Sequence, residues 1–137
     1  MKTTKVLVSG IAGGIVYFII GGFFYGILLR DFLSNNISAG ELKPQDQVVW
    51  WAGIASNLIL GILVAYILIY VDNISRAGKG ATTAMIVGFL MTTSYDLALY
   101  ALVNLTTLNF VIVDVIITTI MSAAAGAVIV QVSKKIK

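Results

Sequence analysis

Four long apolar segments, separated by short polar breaks, account for most of the chain. They cover residues of about 6–29, 48–71, 81–103 and 108–132. Each exceeds the roughly 20 apolar residues that an α-helix needs to cross a bilayer. Because helices satisfy their backbone polar groups internally, the pattern predicts an all-α, four-helix transmembrane bundle that runs up-down-up-down as a single domain, residues 1–137.

The polar breaks predict how the four spans connect. The breaks after the second and third spans are short, so we expect spans two, three and four to pack in sequence as antiparallel neighbours. In the longer first break, residues 30–33 are predicted to continue helix one, and Gly40 marks a non-helical loop. Pro44 and Asp46 predict the start of helix two, because proline fits a first turn and an acid suits the positive helix end.

Composition narrows the function classes. Hydrophobic residues make up 59% of the chain, against roughly 45–50% in soluble domains. The chain contains neither Cys nor His, so disulfides, the usual zinc and haem ligands and a Ser-His-Asp triad are excluded. We therefore expect no enzyme activity, no catalytic residue, no cofactor and no metal centre. The lack of an interleaved aromatic and basic patch argues against a nucleic-acid partner.

Basic residues are divided unevenly between the two ends of the predicted bundle. The end that holds both termini, here the terminal end, carries Lys2, Lys5, Arg76, Lys79, Lys134, Lys135 and Lys137. The opposite end, here the loop end, carries Arg30 and Lys43. The positive-inside rule then predicts that both termini are cytoplasmic. We expect a bacterial inner-membrane protein surrounded by the lipid bilayer.

Small residues recur at helical spacing and predict faces on which helices approach closely. The candidate packing glycines are Gly10, Gly14 and Gly21 in span one, Gly53 and Gly61 in span two, and Gly126 in span four. Trp50 and Trp51 stand at the entry of span two, where indole rings favour the headgroup level. We predict that these two residues are interface anchors.

Two aspartates, Asp96 and Asp114, lie inside spans three and four. A carboxylate within a span costs roughly 2.5–3.5 kcal/mol on insertion scales, so each needs a local reason to be there. Counted along the helices, they lie roughly 10 Å and 9 Å inside the loop end. Their matched depth predicts a shared polar site. Residues at similar depth or on the same faces are Asn57, Thr92, Thr93, Tyr100 and Thr118.

Three states of this site remain open on the sequence. The two carboxyl groups can share a proton, because neighbouring carboxylates raise each other's proton affinity. They can bind a cation together with amide and hydroxyl oxygens. Each can also be neutral and hydrogen-bonded as a helix-packing contact. Span interiors carry no Lys or Arg, although Arg30 could reach toward the site from the loop end.

Short motifs resemble parts of three families. Tyr95 and Asp96 resemble one half of the intramembrane aspartyl protease pair, but Asp114 lacks the preceding glycines of the other half. Small fluoride channels are similar in size and span count, but their dual topology conflicts with the charge bias. The layout resembles an uncharacterised family of small four-span integral membrane proteins, through the aromatic-Tyr-Gly sequence at 23–26, Asp114 early in helix four and the small residues at 123–127. That resemblance implies the four-span layout. It does not indicate any particular activity.

The sequence therefore favours a structural or accessory membrane subunit that carries a polar site in the outer leaflet. Its partners would be further copies in a homo-oligomer or the other subunits of a larger membrane complex. The alternative is an oligomeric ion- or proton-linked channel or transporter that uses Asp96 and Asp114 to bind a small cation or proton.

Overall fold

The computed structural model describes residues 1–38 and 43–136. This part of the chain forms α1 (Lys2–Phe23), α2 (Arg30–Asn36), α3 (Trp50–Ala65), α4 (Ala77–Leu102) and α5 (Leu108–Lys135). Two of the helices continue as π-helical segments, α1 through Phe24–Leu28 and α3 through Tyr66–Val71. Gly40 and Lys137, which entered the loop and charge predictions, lie outside the described residues.

The predicted all-α bundle is confirmed. Within the described chain, four helices of 22 to 28 residues are long and apolar enough to cross a membrane. The start predicted for the second span is wrong. Pro44 precedes the short 3-10 turn Gln45–Gln47, and α3 begins only at Trp50. The intervening β-branched residues Val48 and Val49 favour extended backbone, and Val48 adopts it.

The order in which the long helices pack differs from their order along the chain. α1 lies between α3 and α5, and α4 packs along α5. α4 approaches the second span mainly at its π-helical end, beside the connecting turn. The expected sequential packing is therefore confirmed for spans three and four, and it is wrong for spans two and three. The two helices joined by this turn diverge and leave a groove between them.

The α1–α3 crossing is a contact between backbones. A Cβ atom on Gly61 would lie 2.3 Å from both the Gly10 carbonyl oxygen and the Gly14 nitrogen. A Cβ atom on Gly14 would lie 2.7 Å from the Leu58 Cα atom. Such distances are shorter than any ordinary van der Waals contact, so only glycine fits at this crossing.

The α4–α5 crossing uses small residues in the same way. A Cβ atom on Gly126 would lie 2.4 Å from the Ala84 Cβ atom and 2.5 Å from the Gly80 carbonyl oxygen.

The two remaining candidate packing glycines, Gly21 of α1 and Gly53 of α3, differ from each other. Gly21 faces the Met121 methyl group of α5, which lies 3.0 Å from the position that a Cβ atom on Gly21 would take. Gly53 differs, because nothing lies within 4 Å of its would-be Cβ atom. The packing role predicted for Gly53 is therefore wrong.

Apolar and tyrosine side chains cover the outside of the bundle. Exposed residues recur along every long helix, with Ile19, Ile59, Leu90 and Ile120 all more than half exposed. A surface this apolar is stable when it faces hydrocarbon. Trp50 and Trp51 are also exposed, at the loop end. The chain is an integral membrane protein.

Candidate functional site

The space left between α3 and α4 forms a groove of about 550 Å³. We call it the α3–α4 groove. Its walls are Ser56, Leu60 and Val64 of α3 and Val87, Gly88, Met91, Thr92, Tyr95, Asp96 and Leu99 of α4. Its floor and loop-end rim are Tyr17, Phe110, Asp114, Thr118, Ser122, Ile37, Leu105 and Thr106. Most of this lining is apolar, and none of the described lining residues is basic.

Asp96 and Asp114 meet in this groove. Both side chains line the groove, Asp96 from α4 and Asp114 from α5, and they are close enough for their charges to interact. Asp96 is 5% exposed, and its Oδ2 atom has no hydrogen-bond partner in residues 1–38 and 43–136. Buried polar atoms are nearly always paired, so an unpaired carboxylate oxygen in a membrane bundle is unusual.

Tyr25 contacts the aspartate pair from α1, a third helix. Its hydroxyl group donates a hydrogen bond of 2.5 Å to Asp114 Oδ1 and lies 3.5 Å from Thr118 Oγ1. Tyr25 belongs to the π-helical end of α1, Phe24–Leu28. Segments of this kind occur frequently at functional sites, because the wider turn redirects side chains. Asp114 is thus held in place by a donor, whereas Asp96 Oδ2 has no donor among the described residues.

A second hydroxyl pair lies deeper in the groove. Tyr17 is 1% exposed, and its hydroxyl group donates a hydrogen bond of 2.8 Å to Ser122 Oγ. Gly88 of α4 lies against this pair, since a Cβ atom there would lie 2.0 Å from Ser122 Oγ. The bond and the close α4–α5 contact mark the deep end of the groove.

The structure brings together only some of the polar residues grouped by the sequence. Thr92 lines the groove, but Thr93 does not, although its Oγ1 is buried and unpaired in the described structure. Asn57 is outside the groove, and its amide donates to the Gly53 carbonyl oxygen of its own helix. Tyr100 is 46% exposed and also lies outside. The inclusion of Thr93, Asn57 and Tyr100 in one shared site is therefore corrected, because helical rotation separates residues of equal depth.

Sequence reasoning found Thr118 but missed the hydroxyl groups of Tyr17, Tyr25 and Ser122, which bond to each other or to Asp114. Tyr17 and Tyr25 share a helix face with the glycines of span one, and such a face by itself predicts helix packing. Ser122 lies two turns after Asp114, on the stripe that also holds Thr118. The available signal was the presence of two phenols on a face otherwise made of glycine, in a chain with two aspartates inside its spans.

A tied loop closes the loop end of the groove. Ile37 and Thr106 form an isolated antiparallel bridge, and the Ser38 backbone N–H donates to the Leu105 carbonyl oxygen at 2.9 Å. Thr107 Oγ1 donates to Asn36 Oδ1 at 2.6 Å. These bonds connect α2 to the α4–α5 turn. The groove's remaining opening faces sideways, between α3 and α4.

Arg30 does not join the carboxyl pair. It lines a smaller cavity of about 290 Å³ with Gly22, Gly26 and Lys43, on the other side of α1's π-helical end. Thus no basic side chain of the described residues lines the α3–α4 groove, and its described lining is acidic or neutral. Two like charges in contact oppose each other, so the pair is stabilised by a proton or by a positively charged ligand.

The oxygen atoms present suit some ligands better than others. Within the described residues, no group of three or more Asp, Glu, His or Cys side chains converges on one point. Calcium takes about six to eight oxygen ligands, and magnesium needs near-ideal octahedral coordination. Two carboxyl groups with Tyr25 and Thr118 are better suited to a proton, a monovalent ion or an ammonium group.

Comparison of the chain with protein-family models, curated proteins and solved structures finds no match. The resemblance to small four-span proteins therefore stands on the residues quoted above.

Proposed function

We propose that the protein is a small membrane transporter that binds a proton or cation at the Asp96–Asp114 pair. One observation carries this proposal: Asp96 lines the groove, and its buried Oδ2 atom has no hydrogen-bond partner among the described residues. An intramembrane carboxylate is costly, and such residues usually mark ion or proton pathways. A ligand that neutralises the pair would compensate for that cost.

A purely structural role for the pair fits this geometry less well. Carboxyl groups that hold helices together pair their oxygen atoms with donors on neighbouring helices. Asp114 follows that pattern through Tyr25, but Asp96 Oδ2 does not. The asymmetry supports a site in which one carboxyl group is positioned by the protein and the other receives the ligand.

The packing supports access from one direction. The groove reaches inward from the loop end to Tyr17 and Val64. Beyond it, Leu68, Ile129 and Val130 are fully buried and fill the terminal half. With both termini in the cytoplasm, as the positive-inside rule predicts, the site would open in the outer leaflet of a bacterial inner membrane. Transport would then require the apolar terminal half to open in a second conformation.

The test is proton and cation flux in liposomes that contain the purified protein and a trapped pH-sensitive dye. We expect flux under an imposed ion gradient, and we expect Asp96→Asn combined with Asp114→Asn to abolish it while the protein still assembles. Asp31→Asn is the matched control, because Asp31 lies exposed on α2 away from the groove. Absence of flux from the unaltered protein would exclude transport.

The second candidate is a structural or accessory subunit, either in a homo-oligomer or in a larger membrane complex. The sideways opening of the groove favours it, because a partner's transmembrane helix could cover this face. Native mass spectrometry of the protein released gently from its membrane tests this candidate. Other polypeptides in the released complex, together with absent flux, would establish the accessory role.

A further inference from the structure

We propose that the ligand of the α3–α4 groove is a lipophilic monocation, namely an organic cation with an apolar body that enters sideways from the bilayer. This inference rests on the proposed function, since it names the class of ligand for the same carboxyl pair. It follows from the charge, lining, size and opening of the groove.

The charge of the groove selects a cation. Among the described lining residues, Asp96 and Asp114 are the only carboxylic acids, and none is basic. Asp96 is 5% exposed, and its unpaired Oδ2 atom belongs to a side chain that lines the groove. A buried acceptor without a donor is satisfied by a ligand that brings positive charge, and in this surrounding the attraction is poorly screened.

The walls of the groove select an apolar body. Leu60, Met91, Leu99 and Phe110, on α3, α4 and α5, line the same groove as the carboxyl pair. The volume of about 550 Å³ is far more than a bare ion occupies and falls within the roughly 300–1,000 Å³ of small-molecule sites. Tyr95 adds an aromatic ring at the rim, and aromatic faces attract organic cations.

The opening of the groove determines how a ligand enters it. α3 and α4 diverge after their connecting turn, so the groove faces lipid along their length. Met91 and Tyr95 are 44% and 66% exposed at this edge. The loop end is tied by the pairing of Ile37 with Thr106. A ligand that partitions into the bilayer therefore reaches the pair without crossing the loop.

Binding couples to proton release in a simple way. When the pair holds a shared proton, an arriving organic cation takes its place beside the carboxylates. The carboxyl O–H bond breaks, the proton passes to water or buffer, and no electron is transferred. About one proton should leave for each cation bound.

The test uses two probes of the same shape and opposite charge, tetraphenylphosphonium and tetraphenylborate. The full-length protein is placed in phosphatidylcholine nanodiscs, and empty nanodiscs measure partition into lipid. We expect saturable binding of tetraphenylphosphonium with proton release in weak buffer, and no saturable binding of tetraphenylborate. Asp96→Asn combined with Asp114→Asn should weaken phosphonium binding about thirtyfold or more and end proton release.

A wall substitution tests the location independently of charge. Met91→Trp places a large ring in the groove and should weaken phosphonium binding at least about tenfold. Leu90→Trp is its matched control, because Leu90 is 60% exposed and lies outside the groove, and it should bind as the unaltered protein does. Equal effects of the two tryptophans would overturn the assignment to the groove.

The outcomes separate this inference from the proposed function. Equal binding of both probes would overturn it in favour of an apolar or lipid site. Flux of protons or inorganic ions that depends on the carboxyl pair, without phosphonium binding, would overturn the ligand class and leave the transporter proposal standing. If neither flux nor binding is detected, both proposals fail, and a covering partner helix becomes the explanation of the open groove.

Discussion

The two halves of the bundle are built from the same kinds of helix but differ in how they fill their interiors. In the terminal half, Ala65, Leu68, Ala84 and Ile129 are completely buried. In the loop half, the interior holds a groove, two carboxyl groups and tyrosine hydroxyl groups. One half is closed by small and apolar residues, whereas the other remains open between α3 and α4.

The difference shows which contacts stabilise the bundle. Glycines that permit backbone contact lie where α1 crosses α3 and where α4 crosses α5. These contacts hold α3 against α1 and α4 against α5, so the space between α3 and α4 is a consequence of the packing. The closely packed half thus supports the half in which a buried carboxyl oxygen lacks a hydrogen-bond partner among the described residues. Polar groups left incompletely hydrogen-bonded in this way are typical of functional sites.

The largest expected effect comes from breaking the closely packed half. Gly61→Leu should destabilise the bundle by about 3 kcal/mol or more, because the new side chain would displace the α1 backbone. Gly53→Leu, on the open side of the same helix, should change stability by less than about 1 kcal/mol and could increase it through helix propensity. Unfolding in mixed micelles, followed by circular dichroism, measures both. Equal losses would mean that the α1–α3 crossing is not a critical contact.

The sequence was sufficient to predict this contrast only in part. The number and type of the spans follow from apolar length, and the equal depth of Asp96 and Asp114 follows from counting residues. The packing order does not follow, because every span carries small residues that can support a close crossing. Gly61 and Gly53 have equivalent positions in the spacing pattern, yet only Gly61 meets another helix.

The composition of the candidate site was equally hard to deduce. Asn57 has a suitable depth, but its rotation around α3 directs its amide to Gly53. Tyr25 has a suitable depth as well, and the π-helical end of α1 places its hydroxyl group on Asp114. Depth can be counted from sequence, whereas rotation depends on helix irregularities and on which neighbours pack.

The second prediction separates the contribution of Asp96 to stability from its contribution to function. Asp96→Asn should leave the protein as stable as before or more stable by about 1–2 kcal/mol at neutral pH, because it removes a buried carboxyl group whose Oδ2 atom has no partner among the described residues. Flux or cation binding should nevertheless be lost. Unfolding in mixed micelles and the liposome assay measure these together, with Asp31→Asn as the control. A large loss of stability would instead identify Asp96 as a structural contact.

The third prediction concerns the single donor that positions Asp114. Tyr25→Phe removes a hydrogen bond to a carboxyl group and should cost about 1.5 kcal/mol in unfolding free energy. Tyr100→Phe is the matched control, since Tyr100 is exposed and lies outside the groove, and it should cost less than about 0.5 kcal/mol. If the two substitutions cost the same, Tyr25 does not hold the acidic pair in place.

The smallest expected effect tests the tie that closes the loop end. Thr107 caps α5 by accepting from the Phe110 N–H at 3.2 Å, and it donates to Asn36. Thr107→Ala should cost about 1 kcal/mol and should speed hydrogen exchange at the Ser38 amide, which pairs with the Leu105 carbonyl oxygen. Thr82→Ala is the control, because its hydroxyl group bonds only to its own helix, at Gly78 near the terminal end. Faster exchange at Ser38 with unchanged exchange in the terminal half would show that the two halves open independently, whereas faster exchange throughout would show one cooperative unit and remove the distinction between them.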